Sequence, residues 1–442
     1  MRNDIARHMR IAFLTTDNRD AHRRYDDPDP YFGPAPTALL EGFAMLGGRK
    51  NTEIEKLENE EIGNIGSTEL GDRNEERRTK NEERRTSPVE PRDTNHELET
   101  VPPFEIHVIS CTQQPLRAPE KLASNIWYHS LHVPKIGWLR TGYQGCIRAV
   151  RRKLRELDPD IVHGQGTERD CAISAVLSGY PNVLTIHGNM AELALRFGAK
   201  PGGFHWLMGK LEDFTLPRTA GVFCNSEYTR TLVEGRAKKT WRVDNPIRPE
   251  FFFPIPTRRG GSLPILLNVG VIGKRKRQIE LLEMAARIHR RGVSLEMRFI
   301  GPCAQEPYAD EFLKKIGVAE REGYASYIGV LDVEELVNEM DAASGLCHFP
   351  SEEAFGLVVA EGVGRDLKFF GSCVGGIPGI VEGIAEAELI DPDDFSTLEE
   401  RIAGWVAAGA PRPVGGYEMM RIRYHPEVIA RRHLEIYSQV PR

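Results

Sequence analysis

The chain has 442 residues, 58 Lys+Arg against 64 Asp+Glu, a formal charge of −6, and 40% hydrophobic and 28% charged residues. That length allows two or three domains with sizeable cores, and no apolar run approaches the roughly 20 residues of a membrane-spanning helix. The near-balance of charge argues against a general nucleic-acid coat or a polybasic membrane binder, both of which need a basic surplus. The net charge is nearly all local. Residues 49–100 hold 15 acidic and 10 basic side chains and no aromatic one, leaving the other 390 residues a net of −1.

Charge returns at Arg7 and Arg10 where a secretory apolar segment would begin, so no signal peptide is expected, and Met9 is an alternative start. Ile11–Thr15 is a short β-rich apolar run, a buried first strand. After a loop rich in Asp, Pro and Gly, the residues from Thr37 to Leu46 carry helical spacing, stopped by Gly47-Gly48. The charged tract interrupts here. It contains the unit Asn-Glu-Glu-Arg-Arg-Thr at 74–79 and again at 81–86, with nothing apolar to bury, and is expected to be disordered. Because it lies between a helix and the following strand, it falls on the edge away from a ligand cleft, and deleting 50–99 is expected to spare catalysis.

Phe104–Ser110 then reads as the second strand. Further strands are expected at 161–163, 183–187 and 221–224, with helices near 143–157, 168–178, 203–216 and 227–235. After Asn245-Pro246 the alternation restarts, with strands at 265–269, 295–300, 345–349, 367–372 and 387–390. Helices at 277–290, 306–321, 333–343 and 397–408 separate them. Strands alternating with helices imply right-handed crossovers and parallel sheets. Two such runs give an α/β protein of two doubly wound, Rossmann-like domains facing across a cleft. Prolines and glycines between 246 and 261 mark the seam. The boundaries are 9–245 for the first domain, with 49–100 inserted, 246–418 for the second, and 419–442 for a C-terminal helix returning toward the first. Seven cysteines show neither C-x-x-C pairing nor zinc spacing, which reads as reduced, buried thiols in a cytoplasmic protein.

Chemistry concentrates in Pro350-Ser351-Glu352-Glu353-Ala354-Phe355-Gly356-Leu357-Val358-Val359-Ala360-Glu361. This stretch follows a strand and opens a helix near Phe355. The first amides of that helix, at Phe355, Gly356 and Leu357, suit hydroxyl or phosphate oxygens, and Gly356 lets a ligand approach the backbone. Glu353 and Glu361, eight apart, would share a helix face, one meeting a sugar and the other a ribose diol.

These residues resemble the E-x7-E element of retaining, GT-B-fold glycosyltransferases of family 4 (glycosyl transferases group 1), and Val374-Gly375-Gly376-Ile377-Pro378 resembles the V-G-G-I-P that follows it. Asn268-Val269-Gly270 with Lys276-Arg277-Gln278 resembles the family's phosphate-binding turn, and Thr185-Ile186-His187-Gly188 its T-x-H-G element. Gly33, in Tyr31-Phe32-Gly33-Pro34, stands where relatives carry a Gly-Gly near donor and acceptor. The resemblance implies a retaining transfer of sugar from a nucleotide-diphosphate-sugar, with no further cofactor and no metal. His187, Glu353 and Lys276 would be catalytic; Gly33, Gly270, Lys276, Phe355, Gly356, Leu357 and Glu361 would bind the donor. The base would be recognised near Tyr327–Gly329. His163 matches a family position too and is read as structural.

The acceptor would be a small molecule, a glycan or a lipid-linked compound. Nucleic acid is not an expected partner, and peripheral contact at the inner face of the membrane is compatible with the reading. The chain departs from the family pattern at Val271, where relatives carry arginine and Lys274 or Arg275 would compensate. It departs again at Gly364-Arg365-Asp366-Leu367-Lys368, where a distorted start to the next strand is expected. Alternatives are a GT-B sugar-nucleotide epimerase and a non-catalytic sugar-nucleotide-binding protein. A dehydrogenase lacks its G-x-G-x-x-G here.

Overall fold

The structure is a computed structural model and describes residues 8–48, 102–196, 198–257 and 263–441. The 49–100 insertion lies outside the described residues. The N-terminal sheet contains β1 (Met9–Leu14), β2 (Phe104–Thr112), β3 (Lys121–Ala123), β4 (Ile126–His132), β5 (Ile161–Gln165), β6 (Asn182–Ile186), β7 (Val222–Cys224) and β8 (Thr240–Arg242). Its strand order is β3-β4-β2-β1-β5-β6-β7-β8, parallel except for the β3–β4 pair. The C-terminal sheet contains β9 (Ile265–Val269), β10 (Glu296–Ile300), β11 (Ala325–Gly329), β12 (Gly345–His348), β13 (Lys368–Ser372) and β14 (Glu388–Ile390). Its order is β11-β10-β9-β12-β13-β14, all parallel.

The inner strands are buried along their whole length, as β5 and β13 illustrate. Helices cover both faces of such sheets, so their strands read as continuous apolar runs. Apolar clusters lie on either face of the N-terminal sheet, one around Phe13, Phe43 and Phe223 and the other around Leu14, Cys146 and Leu184. The C-terminal sheet is sandwiched in the same way by clusters around Phe299 and Phe312, and around Phe355 and Tyr424.

The chain crosses between domains twice. After the seam, the Gly416–Tyr424 helix packs in the C-terminal core through Met420 and Tyr424. The next helix, Pro426–Ser438, packs instead on the N-terminal domain. There it lies against the Pro34–Gly48 helix so closely that a Cβ on Gly42 would sit 2.2 Å from the Pro426 carbonyl oxygen. His433 stacks on Phe223 with ring centroids 4.7 Å apart.

His163 is part of this join: its Nδ1 is 2.5 Å from the Tyr437 hydroxyl and its Nε2 2.7 Å from Thr185 Oγ1. Burial holds its imidazole well below the usual range and so neutral. Its role is structural. Of the seven unpaired cysteines five are buried, whereas Cys303 is partly exposed and Cys373 exposed, so the expectation of buried thiols fails at those two.

Candidate active site

In each sheet the strand order reverses at one central strand, β1 or β9, and open α/β sheets take their ligands at the carboxyl ends beside that point. In the C-terminal domain β9 and β12 are neighbours, and each runs into a loop there. Gly270 follows β9 with φ +150°, backbone that a side chain would strain. Gln278 ties the next turn together, accepting from the Gly273 amide at 3.1 Å and donating to the Val271 carbonyl at 3.1 Å. The Lys274–Lys276 segment is thereby wound into a single 3-10 turn.

That turn aims Lys276 at the end of β12. Its ammonium is paired with the Glu353 carboxylate. Its Nζ also lies 3.4 Å from His348 Nε2, and that nitrogen is 3.1 Å from the same Glu353 oxygen. Burial alone would raise the Glu353 carboxyl; Lys276 and His348 outweigh it and hold the group well below the usual carboxylate range. Burial, aided by the Lys276 charge, pushes His348 down to about 4. At neutral pH Glu353 is thus a carboxylate and His348 a neutral imidazole. A neutral imidazole nitrogen serves as donor or as acceptor, never both at once, so His348 Nε2 can either hold Glu353 or receive from Lys276.

The sequence placed Glu353 and Glu361 on one helix face. The helix in fact begins at Leu357, because Gly356, at φ +104°, caps it in left-handed backbone. Glu353 therefore sits in the preceding loop, and helical spacing does not relate the two carboxylates. The V-G-G-I-P segment supports that loop instead. The Gly376 amide donates to the Glu353 carbonyl at 3.0 Å, and a Cβ on Gly375 would lie 1.7 Å from that same oxygen. Phe355 buries its ring beside Tyr424, so it can offer a ligand only its backbone. The amides of Phe355, Gly356, Leu357 and Val358 precede the first full helical turn, where no intrahelical acceptor exists. Glu361 is buried one turn further on, its Oε1 3.7 Å from Arg248 of the seam. Burial raises its carboxyl, opposed by Arg248.

From the N-terminal domain, His187 follows β6 and is partly exposed. Its Nε2 donates to Gln165 Oε1 at 2.9 Å, and burial lowers it to about 4, so it too is neutral. It lines a narrow crevice with Ala35 and Pro36 of the first long helix and Asn245 and Pro246 of the seam. Gly33, at φ +87°, precedes that helix; a Cβ there would press on Asn18 Nδ2 at 3.3 Å.

Two adjacent residues join this side to the Glu353 loop. Asn225 Nδ2 donates to the His187 carbonyl at 3.4 Å, and the Ser226 hydroxyl donates to the Ala354 carbonyl at 2.6 Å. Of the residues singled out from sequence, Lys276 and Glu353 touch each other directly, while His187 is linked to the Glu353 loop through intervening residues such as Asn225 and Ser226. His348, Ser226 and Arg248 were not anticipated. Ser226 had a signal, as the N-cap of the Glu227–Val233 helix.

Val271 is exposed, and Arg275, in the middle of the turn, donates to the Glu352 carbonyl at 3.2 Å and to its carboxylate at 3.1 Å. The second departure does not distort the sheet: β13 pairs with β12 in regular register from Lys368 onward. Asp366 takes a left-handed φ of +54° while its carboxylate accepts from the Tyr417 amide at 2.9 Å. Arg365 turns inward to a two-pronged pair with Asp341 at 2.8 and 2.7 Å. These residues brace the domain behind the site. Among the described residues, one group could hold a metal, Cys111, Cys146 and Asp170, all buried in the N-terminal domain. No described helix is long and apolar enough to cross a membrane.

Residues 103–251 match the family described as Glycosyltransferase Family 4, and residues 254–412 match Glycosyl transferases group 1. The chain belongs to the group 1 glycosyltransferases. Its two facing Rossmann-like domains are the GT-B architecture, and solved structures carry the same fold. Sucrose-phosphate synthase from Thermosynechococcus elongatus is 15% identical with a TM-score of 0.65, covering 98% of each chain. HepE of Anabaena, solved with UDP and glucose, is 13% identical with a TM-score of 0.62 over 98% of this glycosyltransferase and 100% of that chain. A trehalose-6-phosphate synthase, studied for glycosyl transfer with retention, is 13% identical with a TM-score of 0.59 over 76% of this chain and 93% of its own. No curated protein matches the glycosyltransferase by sequence.

Proposed function

We propose that this glycosyltransferase moves a sugar from a nucleotide-diphosphate-sugar to an acceptor with retention of anomeric configuration. The observation that carries the reading is the Lys276–His348–Glu353 cluster at the carboxyl ends of β9 and β12. A diphosphate gains negative charge as the glycosidic bond breaks, and a cation already in place there stabilises the transition state. Lys276 would pass from Glu353 to the diphosphate as donor binds, joined by the Phe355–Leu357 amides. Gly270 and Gly356 let phosphate and sugar approach the backbone. His348 would then hold the freed Glu353 carboxylate toward the sugar hydroxyls.

Glu361 would take the ribose diol, and the nucleoside base would lie toward Tyr327–Gly329. His187, neutral, would hydrogen-bond the sugar from across the cleft, and Gly33 would face donor and acceptor. The departing phosphate would take the acceptor's proton on the face it leaves, so no covalent nucleophile is required. The family relative HepE, solved with UDP-glucose, supports the donor class, and the trehalose-6-phosphate synthase supports retention.

The test is a thermal-shift panel of UDP-, GDP-, ADP- and dTDP-sugars. A donor at 100 times its dissociation constant adds roughly 2.7 kcal/mol, so one nucleotide is expected to raise Tm by several degrees. No shift with any of the four would count against a nucleotide-sugar donor.

A further inference from the structure

The N-terminal domain gathers three metal-binding side chains that the sequence keeps far apart. Cys111 is the penultimate residue of β2, Cys146 lies near the start of the Gln144–Leu157 helix, and Asp170 opens the Asp170–Val176 helix after β5. Consecutive members are 35 and 24 residues apart, so cysteine spacing gives no sign of the group. In the folded chain the two sulfurs and a carboxylate oxygen lie within 4.8 Å of one another. The strand order β2-β1-β5 means that the group spans from one side of β1 to the other, at the carboxyl end of the sheet.

The surroundings make the group unusual. Both cysteines belong to the apolar cluster that contains Leu14, Val133 and Ala172, and Asp170, beside them, is only 5% exposed. A carboxylate there is costly unless it is partnered. Among the described residues Asp170 is in no ion pair. The guanidinium of its neighbour Arg169 lies over the Trp138 ring instead, 5.4 Å from the centroid. The Asp170 carboxylate accepts from its own amide and from the thiols of Cys111 and Cys146. Two S–H groups directed at one carboxylate are an arrangement in which a single cation can take the place of the thiol protons. Tetrahedral zinc would set the three ligand atoms about 3.6–3.8 Å apart. The group has to contract by roughly 1 Å at most to match that spacing.

We infer that Cys111, Cys146 and Asp170 hold a structural zinc ion. Thiolate ligands select zinc over magnesium or calcium, and cysteines gathered in a protein kept reduced are more often metal ligands than disulfides. The thiol protons leave as the sulfurs bind, and the two thiolates and carboxylate outweigh the ion by one negative charge, next to Arg169. Cys171, buried with its sulfur 4.0 Å from Thr16 Oγ1, is at hand for the fourth position. The ion ties the end of β2 to the helix after β5, bracing the domain that carries His187. It takes no part in the transfer, so the inference does not rest on the donor or the stereochemistry.

Elemental analysis of the full-length protein, expressed with zinc and purified without chelator, tests it. About one zinc per chain is expected, falling at least about tenfold in Cys111→Ser and in Cys146→Ser. Cys373→Ser, at an exposed thiol, should leave the zinc content unchanged. Zinc-edge X-ray absorption should show at least two sulfurs and one oxygen in the first shell. If a serine variant fails to fold, the wild type still decides. A tight zinc chelator present during a slow thermal scan should lower its Tm by several degrees, because the ion stabilises only the folded chain. Less than about a tenth of a zinc per chain, a shell without sulfur, or full zinc in folded Cys111→Ser would overturn the assignment. So would a wild-type Tm that the chelator leaves unchanged, or a Cys111–Cys146 disulfide in protein kept under reducing conditions.

Discussion

Replacing Lys276 with methionine is expected to lower kcat for sugar transfer by about two to three orders of magnitude, the usual cost of losing one preorganised group at a developing charge. Methionine keeps the length of the stem and removes only the cation. The same substitution should also destabilise the fold, because the Glu353 carboxylate, only 12% exposed, would lose its ammonium partner. Removing one member of a buried pair typically costs about 3–5 kcal/mol, while removing both is often close to neutral.

The two effects can therefore be separated. Lys276→Met with Glu353→Gln should recover most of the lost stability yet none of the lost rate. Steady-state kinetics with urea unfolding on the single and double variants measures both. If the double variant regained activity, Lys276 would act through Glu353 and not on the leaving group. Because His348 is neutral far above its lowered pKa, the rate should not change between about pH 6 and 8 through that residue.

The second large effect is structural. Arg365→Leu should destabilise the protein by about 3–5 kcal/mol, since Asp341 would be left as an unpaired, largely buried carboxylate. Arg365 also donates to the carbonyls of Phe251 and Phe253, so its loss should loosen the seam segment as well. Arg365→Leu with Asp341→Leu should restore much of the loss. The measurement is the urea midpoint at unchanged m-value. A shift worth less than about 1 kcal/mol for the single variant would mean that solvent reaches the pair. Donor affinity, read separately, should stay near wild type in the double variant, because neither residue touches the Lys276 cluster.

Much of the fold was legible because parallel strands buried on both faces leave uninterrupted apolar runs. The strand at 265–269 has the bounds read from sequence, and β5, β10, β13 and β14 lie within a residue or two. The strands that escaped lie at or next to an edge. β4 has only two fully buried positions and β11 only one, and β3 and β8 have three residues each. In the site, Lys276 and the glutamates stood out by resemblance, but their relation did not.

A left-handed Gly356 placed Glu353 in a loop, and period counting cannot see that break. His348 looked like any buried strand histidine, and its partners lie 5 and 72 residues away. The Ser226–Ala354 bond spans 128 residues and two domains, so only the folded chain reveals it. The Arg365 departure looked like damage because its compensating partner, Asp341, is on a different element.

The most direct test of the central proposal needs no knowledge of the acceptor. The protein is incubated with the nucleotide-sugar that stabilises it, water serving as slow acceptor, and the first sugar released is followed by proton NMR before it mutarotates. Nucleoside diphosphate should be released together with free sugar in the donor's own anomeric configuration, and both signals should be lost in Lys276→Met. Sugar released first as the opposite anomer, or epimerised, would contradict the proposal.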